Sequence, residues 1–224
     1  MLRRWVQRTG IFVAAACLAS CQSGPPAPPK SAVLTPSAGP LAAHVLVVYN
    51  AGLRDSPSVA KDYAKLRAVP ERNLCPISPP SDTALDITDY EKTVKRPVRA
   101  CLEKVGAREI LYIVLSYRTP FRVVEPNEKV NLALDSLLSD IWDEVVPQPF
   151  PERNLSVHPY FALDRSKADR YEPFLPLNEF RARANAPRLY SVWRLDAPTE
   201  ILAAGLVRKA LTAERADGPK GRGC

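Results

Sequence analysis

Side chains able to pair as nucleophile and general base are scarce in this chain. It has two histidines, His44 and His158, and five cysteines, Cys17, Cys21, Cys75, Cys101 and Cys224. An alkoxide or thiolate nucleophile needs an imidazole or similar base within hydrogen-bonding reach, and two histidines leave little material for one. There is no GxSxG, P-loop, GxGxxG or HExxH, and the cysteine spacing matches no zinc pattern. No metal site and no cofactor is expected. The remaining chemistry is polar: Asn50, Asp55, Ser56, Tyr117, Arg118, Arg194 and Asp196 could hydrogen-bond a polar substrate or hold a hard cation. Whether they meet depends on the elements that carry them.

Those elements can be read from apolar patterning. Val45-Leu46-Val47-Val48-Tyr49 is a continuous apolar run, the mark of a strand buried on both faces. Ser56-Pro57 predicts a helix start, with Ser56 as cap, running to about Ala68 with Val59, Tyr63 and Leu66 on one face; Pro70 stops it. Asn73 to Ile77 reads as a short second strand. Thr88 and Glu91 form a capping box opening a helix whose Val94, Val98, Cys101, Leu102 and Val105 share a face. Pro97 should kink that helix and Gly106 should end it. Ile110 to Leu115 is a third apolar strand. A helix is expected from Glu128 to Glu144, an irregular Pro-rich region from Val146 to Pro187, and a fourth strand from Leu189 to Leu195. A fourth helix should run from Pro198 to Arg215, with Leu202, Leu206 and Leu211 facing in.

Unalternating strands separated by amphipathic helices mean parallel βαβ units. The expected fold is therefore α/β, a parallel sheet of about four strands with helices on both faces, Rossmann-like or caspase-like, its first three strands in the order 2-1-3. In such a sheet ligands bind at the carboxyl ends of the strands. That rule selects Asn50, Asp55 and Ser56 after the first strand, Tyr117 and Arg118 after the third, and Arg194 and Asp196 at the fourth. Bland roles compete. Ser56 and Asp196 suit helix caps, and Arg194 with Asp196 suits a structural ion pair.

Ahead of the folded sequence, Arg3, Arg4 and Arg8 precede an apolar segment from Gly10 to Ala19, ten residues where a membrane span needs roughly 20. Leu18-Ala19-Ser20-Cys21 follows, and this resembles the lipobox of bacterial lipoproteins. The resemblance implies cleavage before Cys21 and lipidation of its thiol, leaving the protein exported and attached to the membrane through that lipid anchor. Gln22, rather than Asp, at the next position resembles outer-membrane sorting, toward the periplasm or cell surface. Arg3-Arg4 also suggests twin-arginine export, which Trp5-Val6-Gln7 fits poorly. The expected organisation is residues 1–20 as signal peptide, 21–43 as lipidated Cys and Pro-rich tether, and 44–224 as one α/β domain.

Loss of the signal removes three arginines, so the formal net charge of +7 falls to +4. Bases and acids are interleaved, as in Asp62/Lys65 and Glu91/Lys92/Lys95, with no basic block carrying aromatics. No nucleic acid partner is expected. In an oxidising compartment Cys75, closing the second strand, and Cys101, on the next helix, either pair as a disulfide or stay buried as two thiols.

HVLVVYN at 44–50, DYAKLRAVPERNL at 62–74, ILYIVL at 110–115, ALDS at 133–136 and WRLDAPT at 193–199 occur in this order. Together they resemble an uncharacterised family of exported bacterial proteins, often lipoproteins, with the patterns VLVVxN, YYAxxRxIPxxN, SVDSEL and RLDGP. The likeness covers most of 44–224 and adds Asp135 and Ser136, the family's Asp-Ser pair, to the candidates; Asp135 could equally serve a helix N-terminus. Family members carry Gly-Val-Pro where this chain has Arg118-Thr119-Pro120, implying a differently shaped loop. They also continue beyond Asp217-Gly-Pro-Lys-Gly-Arg-Gly-Cys224, implying that this chain either lacks its last structural units or is a fragment, the fragment being the favoured reading. A more distant likeness is to the caspase-like domain of gingipain-type peptidases. Such a peptidase needs His and Cys just past two strands, where this chain has Ser116-Tyr117-Arg118 and Leu195-Asp196-Ala197. The expected function is an envelope binding or scaffolding module for a polar ligand or an envelope partner. The alternative is a hydrolase or peptidase-like enzyme completed by missing C-terminal sequence, with Asp135, Arg194 and Asp196 lining its pocket.

Overall fold

Apolar runs that alternate with helices do assemble one parallel sheet. The computed structural model describes residues 41–125, 130–142, 177–182 and 188–215, all within one unit, Leu34–Cys224. In chain order the elements are β1 (Val45–Asn50), α1 (Asp55–Arg67), β2 (Leu74–Ile77), β3 (Ala84–Asp86), α2 (Ile87–Tyr90), α3 (Arg96–Val105), β4 (Tyr112–Leu115), β5 (Arg122–Glu125), β6 (Val130–Ala133), α4 (Leu134–Ser139), α5 (Leu177–Ala182), β7 (Ser191–Arg194) and α6 (Glu200–Arg215). The signal, Cys21, most of the tether, His158 and the stretch 217–224 lie outside the described residues.

The main sheet has the order β2-β1-β4-β7, every pairing parallel. The protein is therefore an α/β fold, with the 2-1-3 order expected of its first three strands. β1 shows why its residues are apolar throughout. Val45 and Val47, with Val114 of β4, pack against Ala60 and Ala64 of α1 on one face. Leu46 and Val48, with Ile113 and Leu115, pack against Val98 and Leu102 of α3 on the other. Burial on both faces explains the lack of alternation. Asn73, buried in a short 3₁₀ turn, donates from Nδ2 to the carbonyls of Ala43 at 3.0 Å and Val45 at 2.8 Å, fixing the entry to β1. Cys75 of β2 and Cys101 of α3 are joined, Cα to Cα 5.8 Å, which staples that helix to the sheet.

A second sheet, β3-β5-β6, replaces part of an expected helix. Val130 to Ala133 pairs antiparallel with Arg122 to Glu125, and among the described residues of the span assigned to 128–144 only Leu134–Ser139 is helical; positions 128–129 and 143–144 lie outside the described residues. Pairing with a neighbouring strand outweighs a local pattern that also fits a helix. Three helix ends differ as well. α1 opens at Asp55, and Ser56 lies buried inside its first turn, its Oγ accepting from the Asn50 N–H at 3.0 Å; it is not the cap. α2 is capped by Asp86, whose Oδ1 accepts from Asp89 N–H at 2.7 Å, while Glu91 of the expected capping box pairs with Lys95 Nζ at 2.7 Å. Where Pro97 suggested a kink, a π-helical turn at Glu91–Lys95 precedes it, because a proline cannot donate to the carbonyl four residues back. Gly106 ends α3 with φ 98°, a conformation suited to glycine.

α6 is rotated relative to its leucine pattern. Ala203, Ala204, Val207 and Leu211 face inward, with Ala203 against Val59 and Tyr117, whereas Leu202 and Leu206 are 53% and 43% exposed. Small residues at the contact let α6 lie close to α1, and that approach decides the face. Leu202 and Leu206 were expected to face in, and they do not.

Candidate functional site

The switch in strand order falls between β1 and β4. The chain leaves β1 toward β2 and leaves β4 toward β7, so the loops after these two central strands diverge and open a crevice at their carboxyl ends. What keeps that crevice in shape is a set of polar side chains the strands deliver there.

Asn50 ends β1 and is buried. Its Oδ1 accepts from Gly52 N–H at 3.0 Å, and its Nδ2 donates to the Arg118 carbonyl at 3.4 Å, tying the two diverging loops together. Ser116, just past β4 and fully buried, donates from Oγ to the Ser56 carbonyl at 2.9 Å. Thr119 Oγ1 returns to the Ser116 carbonyl at 3.0 Å. Buried hydroxyls and amides are costly unless paired, and here each finds a partner on the opposite loop or its own turn.

Arg118 is the centre of the site. Its φ is 57°, a left-handed conformation that costs an L residue about 1 kcal/mol or more. The backbone at Arg118 thus has a shape that favours glycine. The side chain helps to hold that shape. Nε and Nη2 both lie 2.6 Å from Asp82 Oδ2, and Nη1 lies 3.3 Å from Asp55 Oδ2. Hydrogen bonds donated to Asp82, then to Asp55, raise the guanidinium pKa above its ordinary value. With its donors directed at two carboxylates, Arg118 is a bracket between α1 and the loop before β3.

Arg194, ending β7, braces the same loop from behind. Nη1 donates to the Thr119 carbonyl at 2.8 Å and to Thr119 Oγ1 at 3.2 Å, while Nη2 donates to the Pro120 carbonyl and to Asp135 Oδ1, both at 2.9 Å. The structural ion pair of Arg194 is therefore with Asp135, not with Asp196. Asp196 is exposed and among the described residues accepts only from its neighbour Ala197 N–H, at 2.9 Å; the α6 cap is Thr199, whose Oγ1 accepts from Leu202 N–H at 3.3 Å. Ser136 is exposed, with its carbonyl accepting from Ser139 Oγ at 2.9 Å. Tyr117 is buried against Val59 and Ala203 and serves the core.

Of the sequence candidates, then, Asn50, Asp55 and Arg118 meet at the crevice, Asp135 and Arg194 support it, and Ser136 and Asp196 stand apart. A cavity of about 500 Å³ opens beside Arg118, lined by Arg54, Asp55, Ser58 and Glu200. That volume lies within the ordinary range for small-molecule sites. Arg54, Ser58, Glu200, Asp82, Ser116 and Thr119 were not singled out from the sequence. Arg54, Ser58 and Glu200 could have been, by extending the strand-end rule into the first turn of the helix that follows each strand. Asp82 carries no such signal. Among the described residues no group of His, Cys, Asp and Glu is arranged to hold a metal, and no helix is long and apolar enough to cross a membrane. The chain matches no protein-family model, no curated protein and no solved structure.

Proposed function

We propose that this chain is a membrane-anchored exported lipoprotein whose α/β domain is a cell-envelope binding module, taking a small polar ligand at the carboxyl edge of the sheet. The anchor reading is supported by Arg3, Arg4 and Arg8, the short apolar segment and Leu18-Ala19-Ser20-Cys21. The binding reading is carried by one observation: a cavity of about 500 Å³ at the strand-order switch whose wall is fixed by Arg118 between Asp55 and Asp82. A preformed polar wall lowers the ordering cost of binding. Its described lining holds no cysteine and no histidine, so it supports recognition over nucleophilic catalysis.

Two measurements test this. Radiolabelled palmitate should enter the wild-type protein and not Cys21→Ser, which should leave the membrane fraction; a labelled, membrane-bound Cys21→Ser protein overturns the anchor. The full chain in detergent micelles should melt at higher temperature with short peptides or amino sugars, and Arg118→Ala should abolish that rise. A rise unaffected by Arg118→Ala, or no rise with any probe, overturns the binding site.

A further inference from the structure

The cavity beside Arg118 carries two charges of opposite sign that no other described residue pairs with. Arg54, immediately before α1, and Glu200, the first residue of α6, both line it. Neither side chain has an ion pair or hydrogen bond among the described residues, and they are not paired with each other. The other two charges on the wall are already matched, since Arg118 bonds Asp55 and also Asp82. Ser58, exposed on the first turn of α1, adds a hydroxyl.

We infer that the ligand of this cavity is a zwitterion, an amino acid or short peptide with a free carboxylate for Arg54 and a free ammonium for Glu200; this rests on the cavity being the binding site. The charge pattern argues against simpler classes. A plain anion would find only Arg54, because the Arg118 donors point at carboxylates, and it would meet Asp55 and Glu200. A plain cation would meet Arg54. A molecule with both charges satisfies both free groups, and the guanidinium offers a carboxylate two parallel hydrogen bonds. The lining places the anion-binding group at the start of α1 and the cation-binding group at the start of α6. A ligand must therefore present its two charged ends toward different helices.

The test is calorimetric titration of the full chain with L-alanyl-L-alanine, its N-acetylated form and its C-terminal amide. The free dipeptide should bind, and each blocked form should bind about 10-fold more weakly, the loss of one charge-assisted contact. In Arg54→Gln, amidation should change affinity by less than about 2-fold, and in Glu200→Gln acetylation should do the same. Equal binding of free and blocked dipeptides, or variants that keep the wild-type pattern, overturns the inference. Binding of an N-acetylated, uncharged amino sugar that Arg118→Ala abolishes, with no binding of the dipeptide, overturns the zwitterion while leaving the binding module intact. Silence from every probe overturns both. Circular dichroism of the two variants, whose altered side chains have no described partners, checks that folding is unchanged.

Discussion

Arg194 Nη2 stands 2.9 Å from Asp135 Oδ1, joining the end of β7 to the first turn of α4. The partnership is unequal. Asp135 is 40% exposed at its side chain and among the described residues has this one cation, whereas Arg194 is 17% exposed and also holds the carbonyls of Thr119 and Pro120. Removing the arginine leaves two carbonyls in a partly buried loop without their donor. Removing the carboxylate loses a half-exposed ion pair. Arg194→Ala should therefore cost about 2–4 kcal/mol and Asp135→Asn less than about 1 kcal/mol. Urea unfolding decides it, and an Asp135→Asn cost equal to that of Arg194→Ala would show that the ion pair, not the loop, is what Arg194 supports.

Arg118 allows its backbone and its side chain to be separated. Arg118→Ala keeps the left-handed backbone and loses the bonds to Asp82 and Asp55. Arg118→Gly loses the same bonds and also removes the strain of a Cβ at φ 57°. The glycine variant should be more stable than the alanine variant by about 0.5–1 kcal/mol, read as a higher urea midpoint. Equal midpoints would mean that the loop relaxes out of the left-handed conformation once the bracket is gone.

Local sequence specifies structure where one interaction dominates. Val45 to Tyr49 and Ile110 to Leu115 are apolar because both faces of a central strand are buried, so they were visible as strands without any partner in view. The strand-end rule found Asn50, Asp55 and Arg118 for a similar reason, since topology alone brings those positions together. Local sequence falls short where a tertiary partner chooses between local options. Val130 to Ala133 can be helix or strand until Arg122 to Glu125 lies beside it. Asp82 has no mark as a site residue before β3 and β5 bring their loops together near Arg118. Arg194 was recognised as important at the right strand end, but its partner, Asp135, is 59 residues away and could not be told from Asp196.

The bond between Cys75 and Cys101 closes a separation of 26 residues. Loop-closure entropy for such a span gives about 3–4 kcal/mol. The protein isolated from an oxidising compartment should yield one linked peptide containing both cysteines under non-reducing digestion. The double variant Cys75→Ala with Cys101→Ala should unfold at lower urea concentration by that amount. Two free thiols on mass mapping would remove the staple, leaving α3 held by packing such as that of Val98 and Leu102 and by the Arg99 bond to the Ile141 carbonyl.

The rotation of α6 gives the last prediction, because two sets of positions on one helix should respond in opposite ways. Ala203 is fully buried against Val59 and Tyr117, so Ala203→Leu forces extra methyl groups into a filled contact and should cost about 1–3 kcal/mol. Leu206 lies on the exposed side, so Leu206→Lys should change stability by no more than about 0.5 kcal/mol. A helix oriented by its leucines would show the reverse, with the lysine variant badly destabilised and the larger side chain at 203 tolerated. The same pair of measurements also bears on the cavity, since Glu200 sits at the start of this helix and its direction depends on which face packs. If Leu206→Lys proved the damaging change, Glu200 would turn away from Arg54 with the rest of the helix.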